Sequence, residues 1–143
     1  MSINLDSSQR TTQPLVILPT YNEADNIILL LKAIEALPLQ ISILVVDDSS
    51  PDGTAEKVIN YPSFGENVFF LKRPRKSGLG SAYREGFQWG SKKGHDICLQ
   101  MDSDLSHDPS DIPLLLKAIH DGADIAIGSR YVNGISVINW PLK

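Results

Sequence analysis

Short apolar runs alternate along the chain with longer segments in which apolar residues recur at helical spacing. A short, continuous apolar run is typical of a strand that is buried on both faces of a parallel sheet. Five such runs predict strands, and they cover residues 15–18, 41–46, 68–71, 97–101 and 125–127.

The segments between these strands predict helices. The first covers residues 27–34 and ends before Pro38, because proline cannot continue a helix. Thr20 and Glu23 have the spacing of a capping box, with Asn22 as a rival cap, so this helix is expected to begin near them. Further helices are predicted at 54–59, 79–87 and 112–119.

Strands that alternate with helices predict an α/β fold with right-handed crossovers and a mainly parallel sheet. Ligands of open parallel sheets bind outside the carboxyl ends of the strands. Four polar side chains follow strand ends in this chain, and we expect them to line one edge although they lie far apart in sequence: Tyr21, Asp48, Asp102 and Arg130.

The loop after the fourth predicted strand is acidic. Asp102 and Asp104 are separated by one residue, and in an extended chain their side chains would point to the same face. Two such carboxylates predict a site for Mg²⁺ or Mn²⁺, which take oxygen ligands and bind phosphate oxygens. A solvated loop that caps the next helix is the alternative. Asp108 precedes Pro109 and is expected to serve the start of that helix.

Composition excludes several classes of protein. The 143 residues suit one domain, and the net charge of −4 argues against a nucleic-acid-binding surface. A single cysteine, Cys98, forms no internal disulfide and fits a reducing compartment. Residues 1–13 are polar and are expected to form a disordered tail, neither signal peptide nor membrane span.

Five motifs occur in order and carry a family resemblance. They are 19–23 (Pro-Thr-Tyr-Asn-Glu), 45–54 (Val-Val-Asp-Asp-Ser-Ser-Pro-Asp-Gly-Thr), 78–83 (Gly-Leu-Gly-Ser-Ala-Tyr), 101–107 (Met-Asp-Ser-Asp-Leu-Ser-His) and 128–131 (Gly-Ser-Arg-Tyr). Together they closely resemble the dolichyl-phosphate (polyprenyl-phosphate) mannosyltransferases of the inverting glycosyltransferase family 2. The resemblance covers residues 14–143 and implies a GT-A type, Rossmann-like nucleotide-sugar-binding domain with helices on both faces of the sheet.

The resemblance also implies a role for individual residues. Asp102 and Asp104 resemble the metal ligands, and Arg130 resembles the arginine that meets the diphosphate; these three are the candidate catalytic residues. The implied contacts to the nucleotide sugar are made by Pro19, Tyr21, Glu23, Val46, Asp48, Asp102, Ser103, Asp104 and Arg130. The implied cofactor is Mg²⁺ or Mn²⁺, the implied donor GDP-mannose, and the implied acceptor a dolichyl or other polyprenyl phosphate.

The chain departs from the family pattern near its end. One glycine, Gly134, follows Asn133 where the family usually has a glycine pair, and the sequence stops at Lys143. We therefore expect a C-terminally truncated, donor-binding portion of the fold. Family members continue with the parts that hold the lipid phosphate, so peripheral membrane contact at the cytoplasmic face is expected through that C-terminal part.

Alternatives to this interpretation remain open at the sequence level. A polyprenyl-phosphate glucosyltransferase, or a nucleotide-sugar-binding fragment without activity, would carry similar motifs. Asp47 and Asp48 at a strand end also resemble the acidic pocket of a receiver-like phospho-acceptor module, although no lysine follows the last strand. The basic loop 72–76 could attract an anion or be merely solvated.

Overall fold

The computed structural model describes residues 13–129 and 134–138. A four-stranded parallel sheet has the strand order β3-β2-β1-β4. Its strands are β1 (Leu15–Thr20), β2 (Ser42–Asp47), β3 (Val68–Lys72) and β4 (Cys98–Gln100). The predicted parallel sheet is confirmed, with each strand within about two residues of its predicted bounds.

Three helices connect these strands: α1 (Ile27–Glu35), α2 (Thr54–Ile59) and α3 (Leu79–Lys92). The chain moves outward from β1 to β3 and then crosses back to β4 on the other side of β1. Right-handed crossovers therefore place α1 and α2 on one face of the sheet and α3 on the other.

The core lies on both faces of the two central strands. Leu15, Ile17, Leu44 and Val46 pack with Ala82 and Tyr83 of α3. The alternate residues of the same strands point to the opposite face and are also fully buried.

Two glycines let α3 lie very close to β1. A Cβ atom on Gly86 would come within 2.6 Å of an Ile17 side-chain carbon, and one on Gly90 within 2.7 Å of Leu15. This close approach fixes the position of α3, whose first turn then lies near the carboxyl ends of the strands.

The helix predicted at 27–34 is confirmed, but the capping role expected of Thr20 and Glu23 is wrong. α1 begins at Ile27, and its N-cap residue Asn26 makes no side-chain capping bond. Thr20 is instead the last residue of β1, and its hydroxyl donates to Oδ1 of Asp47 at 2.7 Å. The Thr20 hydroxyl thus bonds to a buried carboxylate on the neighbouring strand rather than capping a helix, as the sequence pattern had predicted.

The chain divides into two compact units after His107, so the described residues of the first are 13–107 and those of the second are 108–129 and 134–138. In the second, a short 3₁₀ turn (Pro109–Asp111) leads into α4 (Ile112–His120), followed by β5 (Ile125–Ser129) and β6 (Gly134–Ile138). The fifth predicted strand forms, but it pairs antiparallel with β6, an element that the sequence pattern did not predict.

Two further predictions concern the ends of the chain. Gln13, assigned to the tail, accepts a hydrogen bond from Ser42 through Oε1, and its carbonyl lies 2.7 Å from Nδ1 of His95. Residues 1–12 lie outside the described part.

Among the helices that are described, none combines the length and the apolar character needed to cross a bilayer.

Candidate functional site

A cleft of about 280 Å³ opens at the carboxyl edge of the parallel sheet, within the first unit. It is lined by Pro19, Thr20, Tyr21, Glu23, Asp48, Lys76, Gly78, Leu79, Ala82, Asp102, Ser103 and Asp104. Seven of the nine residues with an implied contact to the nucleotide sugar therefore line this cleft, and they come from three separate segments. Val46 is fully buried in the core and is not among the lining residues, so its nucleotide contact stays a prediction. Arg130 lies outside the described residues.

The turn that carries Tyr21 is held by the loop after β2. The amide of Asn22 donates to Oγ of Ser50 at 2.9 Å, and the amide of Ala24 donates to Oδ2 of Asp52 at 3.0 Å. Asn22 has a φ of +56°, a conformation that asparagine tolerates better than most residues. These bonds leave the Tyr21 ring at the rim of the cleft, 41% exposed.

The three carboxylates of the 45–54 motif have different tasks. Asp47 is buried and accepts from the hydroxyls of Thr20 and Ser50 and from the amide of Ser50. Asp52 accepts from both the hydroxyl and the amide of Thr54, at the start of α2. Only Asp48 of the three lines the cleft. Asp48 of this motif therefore faces the cleft, whereas Asp47 and Asp52 support the surrounding turns.

Asp48 forms a buried ion pair that the sequence did not predict. Nε of Arg73 lies 2.5 Å from its Oδ1 and Nη2 lies 2.9 Å from its Oδ2. The same guanidinium donates to Oγ of Ser81 at 2.8 Å and to the carbonyl of Gly78 at 3.1 Å. The hydrogen bonds to Asp48 raise the pKa of Arg73 despite burial. Arg73 thus ties the end of β2 to the start of α3.

This pair corrects one interpretation of the basic loop 72–76. Arg73 is only 2% exposed, so it is neither a solvated residue nor a surface group available to an anion. Lys76 of the same loop does face the cleft, with Nζ 4.6 Å from the centroid of the Tyr21 ring. The available signal was a charged residue directly after a strand, at the edge of the sheet where other charged residues follow strand ends.

The acidic loop begins beyond the strand, since β4 ends at Gln100. The alternation of extended chain therefore does not explain why Asp102 and Asp104 line one cleft. Ser103 between them is buried and donates its hydroxyl to the Pro19 carbonyl at 2.7 Å, which ties the loop to β1. Asp104 accepts from the amide of Ser106 at 3.0 Å, and hydrogen bonding from Ser106 lowers the pKa of Asp104. Its carboxylate is therefore ionised at neutral pH.

Asp102 is held by two side chains. The hydroxyl of Tyr83 donates to its Oδ1 at 2.8 Å, and the amide of Asp102 donates to Nδ1 of His107 at 3.1 Å. Burial and the nearby Asp102 carboxylate raise the pKa of Tyr83, so this hydroxyl keeps its proton at neutral pH. Sequence reasoning named Tyr83 only as part of the 78–83 motif and gave it no role in the site; a tyrosine rather than a phenylalanine there was the available signal.

The donor set suits a hard divalent cation. Asp102 and Asp104 both line the cleft and supply carboxylate oxygens, the kind of ligand that Mg²⁺ and Mn²⁺ prefer. Within residues 13–129 and 134–138, no three His, Cys, Asp or Glu side chains converge into a closed metal cage. An ion here would therefore complete its coordination with water and with oxygens of a bound molecule.

The sequence of residues 15–143 matches the family model described as "Glycosyl transferase family 2". The chain belongs to this family. That membership excludes the receiver-like module. It agrees with the geometry, because Asp47 and Asp48 do not form an acidic pair here but bond to different partners.

Several curated proteins are close relatives in sequence. The domain is 46% identical to polyprenol monophosphomannose synthase of Mycolicibacterium smegmatis over 137 residues, which is 93% of this chain and 51% of that protein. It is 47% identical to dolichol-phosphate mannosyltransferase of Pyrococcus furiosus over 132 residues, 88% of this chain and 35% of that protein. The chain thus spans about half or less of the length of these relatives.

Two solved structures have a similar fold. Mannosyltransferase PcManGT from Pyrobaculum calidifontis, in complex with GDP-Man and Mn²⁺, superposes with a TM-score of 0.68 at 23% identity, covering 81% of this chain and 34% of that one. S. aureus TarS in complex with UDP-GlcNAc gives 0.63 at 24% identity, covering 76% and 31%. These likenesses support the GT-A type fold of the family 2 domain.

The capping role of Asp108, in the second unit, is confirmed. Its side chain accepts from the amide of Ser110 at 2.9 Å at the start of the 3₁₀ turn. Asp108 therefore has a structural task, as the proline that follows it in the sequence predicts.

Proposed function

We propose that this family 2 domain binds GDP-mannose with Mg²⁺ or Mn²⁺, in a protein that transfers mannose to a polyprenyl or dolichyl phosphate. The observation that carries the proposal is the meeting, in one cleft, of an aromatic rim residue, a buried acid and a pair of metal-type carboxylates. The names of the sequence relatives, which are polyprenol- and dolichol-phosphate mannosyltransferases, support the choice of sugar and acceptor.

The residues that line the cleft suit the different parts of a nucleoside diphosphate sugar. Tyr21 offers a ring face against which a flat base can pack, and Asp48 has lone pairs left to accept from a base N–H. Pro19 and Glu23 lie beside them, where the base and ribose would be held. Asp102 and Asp104 would hold the cation at the diphosphate, with the Ser103 backbone beside the sugar nucleotide.

The reaction needs charge stabilisation more than proton transfer. A phosphate oxygen of the lipid acceptor forms a bond to the anomeric carbon while the bond from that carbon to the β-phosphate oxygen breaks, with inversion. The acceptor phosphate is largely dianionic at neutral pH, because its second pKa is about 6, so it needs no strong general base. Asp102 and Asp104 would hold a divalent cation, which would supply positive charge to offset the charge on the departing diphosphate. Arg130 is proposed to share that task.

The acceptor and the cellular location belong to the same proposal. A lipid phosphate acceptor implies that the complete protein acts at a membrane surface, and we place it peripherally on the cytoplasmic face, where sugar nucleotides are available. Lys76 and the neighbouring exposed basic residues of the loop 72–76 would favour an anionic ligand or surface near the cleft.

Calorimetry tests the donor part of the proposal. The chain is titrated with GDP-mannose, GDP-glucose and UDP-glucose, each with MnCl₂ and with a chelator. We expect GDP-mannose to bind most tightly and only with the cation. Preference for a glucose nucleotide would replace mannosyl by glucosyl transfer, and equal binding of all three with chelator present would contradict the proposal. Release of GDP in the presence of a short polyprenyl phosphate then separates a transferase from a binding fragment.

A further inference from the structure

Tyr83 joins the protein core to one of the two cleft carboxylates. It lies early in α3, is only 7% exposed, and belongs to the buried core cluster that includes Leu15 and Ile17 of β1. Its hydroxyl donates to Oδ1 of Asp102 at 2.8 Å. A ring packed in this way has few alternative rotamers, so the hydroxyl is a rigid donor.

Asp102 by contrast lies on a loop. Its side chain is 37% exposed, and its second oxygen, Oδ2, lies 3.9 Å from the imidazole of His107. A partly exposed carboxylate rotates readily about its terminal torsion, which is broad and roughly two-fold. The bond from Tyr83 to Oδ1 opposes that rotation.

We propose that Tyr83 is a positioning residue that holds Asp102 as a one-oxygen ligand for the divalent cation of a bound sugar nucleotide. This inference rests on the proposed function, since it needs a cation at Asp102 and Asp104. Partners that orient a metal-ligating side chain typically change metal affinity by about 10- to 100-fold when they are removed.

The chain contains a matched control for the test. Tyr61 is 8% exposed, much like Tyr83, and its hydroxyl also donates to a carboxylate, Oε2 of Glu35, at 3.1 Å. Neither Tyr61 nor Glu35 lines the cleft. Tyr61→Phe therefore removes the same kind of bond at a site with no connection to the cation.

The experiment measures Mn²⁺ affinity in Tyr83→Phe, Tyr61→Phe and the unchanged chain, from the paramagnetic resonance signal of free Mn²⁺, with and without GDP. We expect about tenfold weaker Mn²⁺ binding in Tyr83→Phe and a change below twofold in Tyr61→Phe, although both variants lose thermal stability. Unchanged Mn²⁺ affinity in Tyr83→Phe, or equal losses in the two variants, would overturn the inference.

A second measurement covers the case in which Tyr83→Phe does not fold. The chain is labelled with 3-fluorotyrosine and titrated with MgCl₂ in the presence of GDP. The fluorine resonance of Tyr83 should shift and that of Tyr61 should not; a stationary Tyr83 resonance in a chain that binds Mg²⁺ overturns the inference alone. A chain that binds neither Mn²⁺ nor Mg²⁺ with any nucleotide overturns the proposed function and this inference together.

Discussion

Arg73 carries a full charge in the interior of the protein, and Asp48 compensates for it. The bidentate geometry and the added bonds to Ser81 and to the Gly78 carbonyl satisfy most of the guanidinium donors. Desolvating two ions is costly, so the pair adds little net stability, but removal of one partner leaves the other buried and unpaired. Asp48 thus serves the fold as well as the proposed base site.

Asp48→Ala should therefore lower two quantities. We expect a loss of about 3 kcal/mol in the free energy of unfolding, because Arg73 stays buried without its partner. Nucleotide affinity should fall by about 1.5–3 kcal/mol, as for a lost hydrogen bond to a charged group. Urea unfolding and calorimetry measure the two losses.

The double variant Asp48→Ala/Arg73→Met separates these effects. Replacement of the unpaired guanidinium by an apolar side chain should restore much of the stability, while nucleotide affinity stays low. Recovery of affinity along with stability would mean that Asp48 acts on the nucleotide only through the fold.

At the scale of elements, the packing of α3 against β1 and the support of the turn after β1 shape the cleft. Gly86 allows the close approach of the helix to Ile17, and the Asp52 carboxylate holds the amide of Ala24. Both contacts join segments that are distant in the chain. Each one can be changed without touching a residue that lines the cleft.

Gly86→Ala should destabilise the protein although alanine is the better helix former. The new methyl group would lie 2.6 Å from an Ile17 carbon, so the helix or the strand must move, at a cost of about 1–3 kcal/mol. Gly80→Ala, in the same helix, meets nothing within 4 Å and should be neutral or stabilising by up to about 1 kcal/mol. Similar unfolding free energies for both variants would show that the α3–β1 contact is not tight.

Asp52 stabilises the turn after β1, and this stabilisation is expected to depend on pH. Burial raises the pKa of Asp52, but hydrogen bonds from the Thr54 hydroxyl and from the amides of Ala24 and Thr54 outweigh it and leave the pKa below 3.8. A carboxylate with a lowered pKa in the folded protein stabilises the fold at pH values above the unfolded-chain pKa. That contribution is lost as the pH falls through the lower, folded-state value.

Asp52→Asn should therefore be less stable than the unchanged chain at pH 7, by about 1 kcal/mol. The difference should shrink as the pH falls from about 4 towards 2, because the unchanged chain loses the same contribution by protonation. Urea unfolding at several pH values measures it. A difference that stays constant down to pH 2 would contradict the assigned hydrogen bonds.

At the scale of the whole molecule, the strand order is what forms the cleft. β1 and β2 are neighbours and β4 lies on the other side of β1, so the loops after all three strands meet at one edge. The loop after β3 and the first turn of α3 contribute Lys76, Gly78 and Leu79. A ligand that contacts all of these segments should therefore raise the stability of the folded state.

GDP-mannose with MnCl₂ should therefore raise the melting temperature of the chain. At a hundredfold excess over its dissociation constant, a ligand adds about 2.7 kcal/mol, or about 5–10 °C for a protein of this size. Chelator should abolish most of the shift, and Asp104→Asn should weaken Mn²⁺-dependent binding at least tenfold, because a ligand charge is lost.

Asp121→Asn is the control for charge alone. Asp121 is an exposed acid paired with Lys117 in the second unit, so this variant should keep the full Mn²⁺-dependent shift. A shift that survives chelation, or that Asp104→Asn does not reduce, would contradict the metal assignment.

The sequence by itself determined the elements of the parallel sheet and the edge at which its polar residues meet. Apolar runs and helical periodicity are local signals, so β1 to β4 and α2 lie at or near their predicted positions. The carboxyl-edge rule for parallel sheets then brings together residues as distant as Tyr21 and Asp102.

Only the tertiary structure decided which polar groups bond to one another. The Asp48–Arg73 pair spans 25 positions, the Tyr83–Asp102 bond 19, and the Thr20–Asp47 bond 27. Periodicity reports which face a residue occupies, whereas a hydrogen bond depends on sub-ångström placement of two side chains on separately packed elements. The sequence pattern likewise predicted β5 but not its antiparallel partner, β6. Strand pairing is a contact between two segments, so neither segment alone determines it.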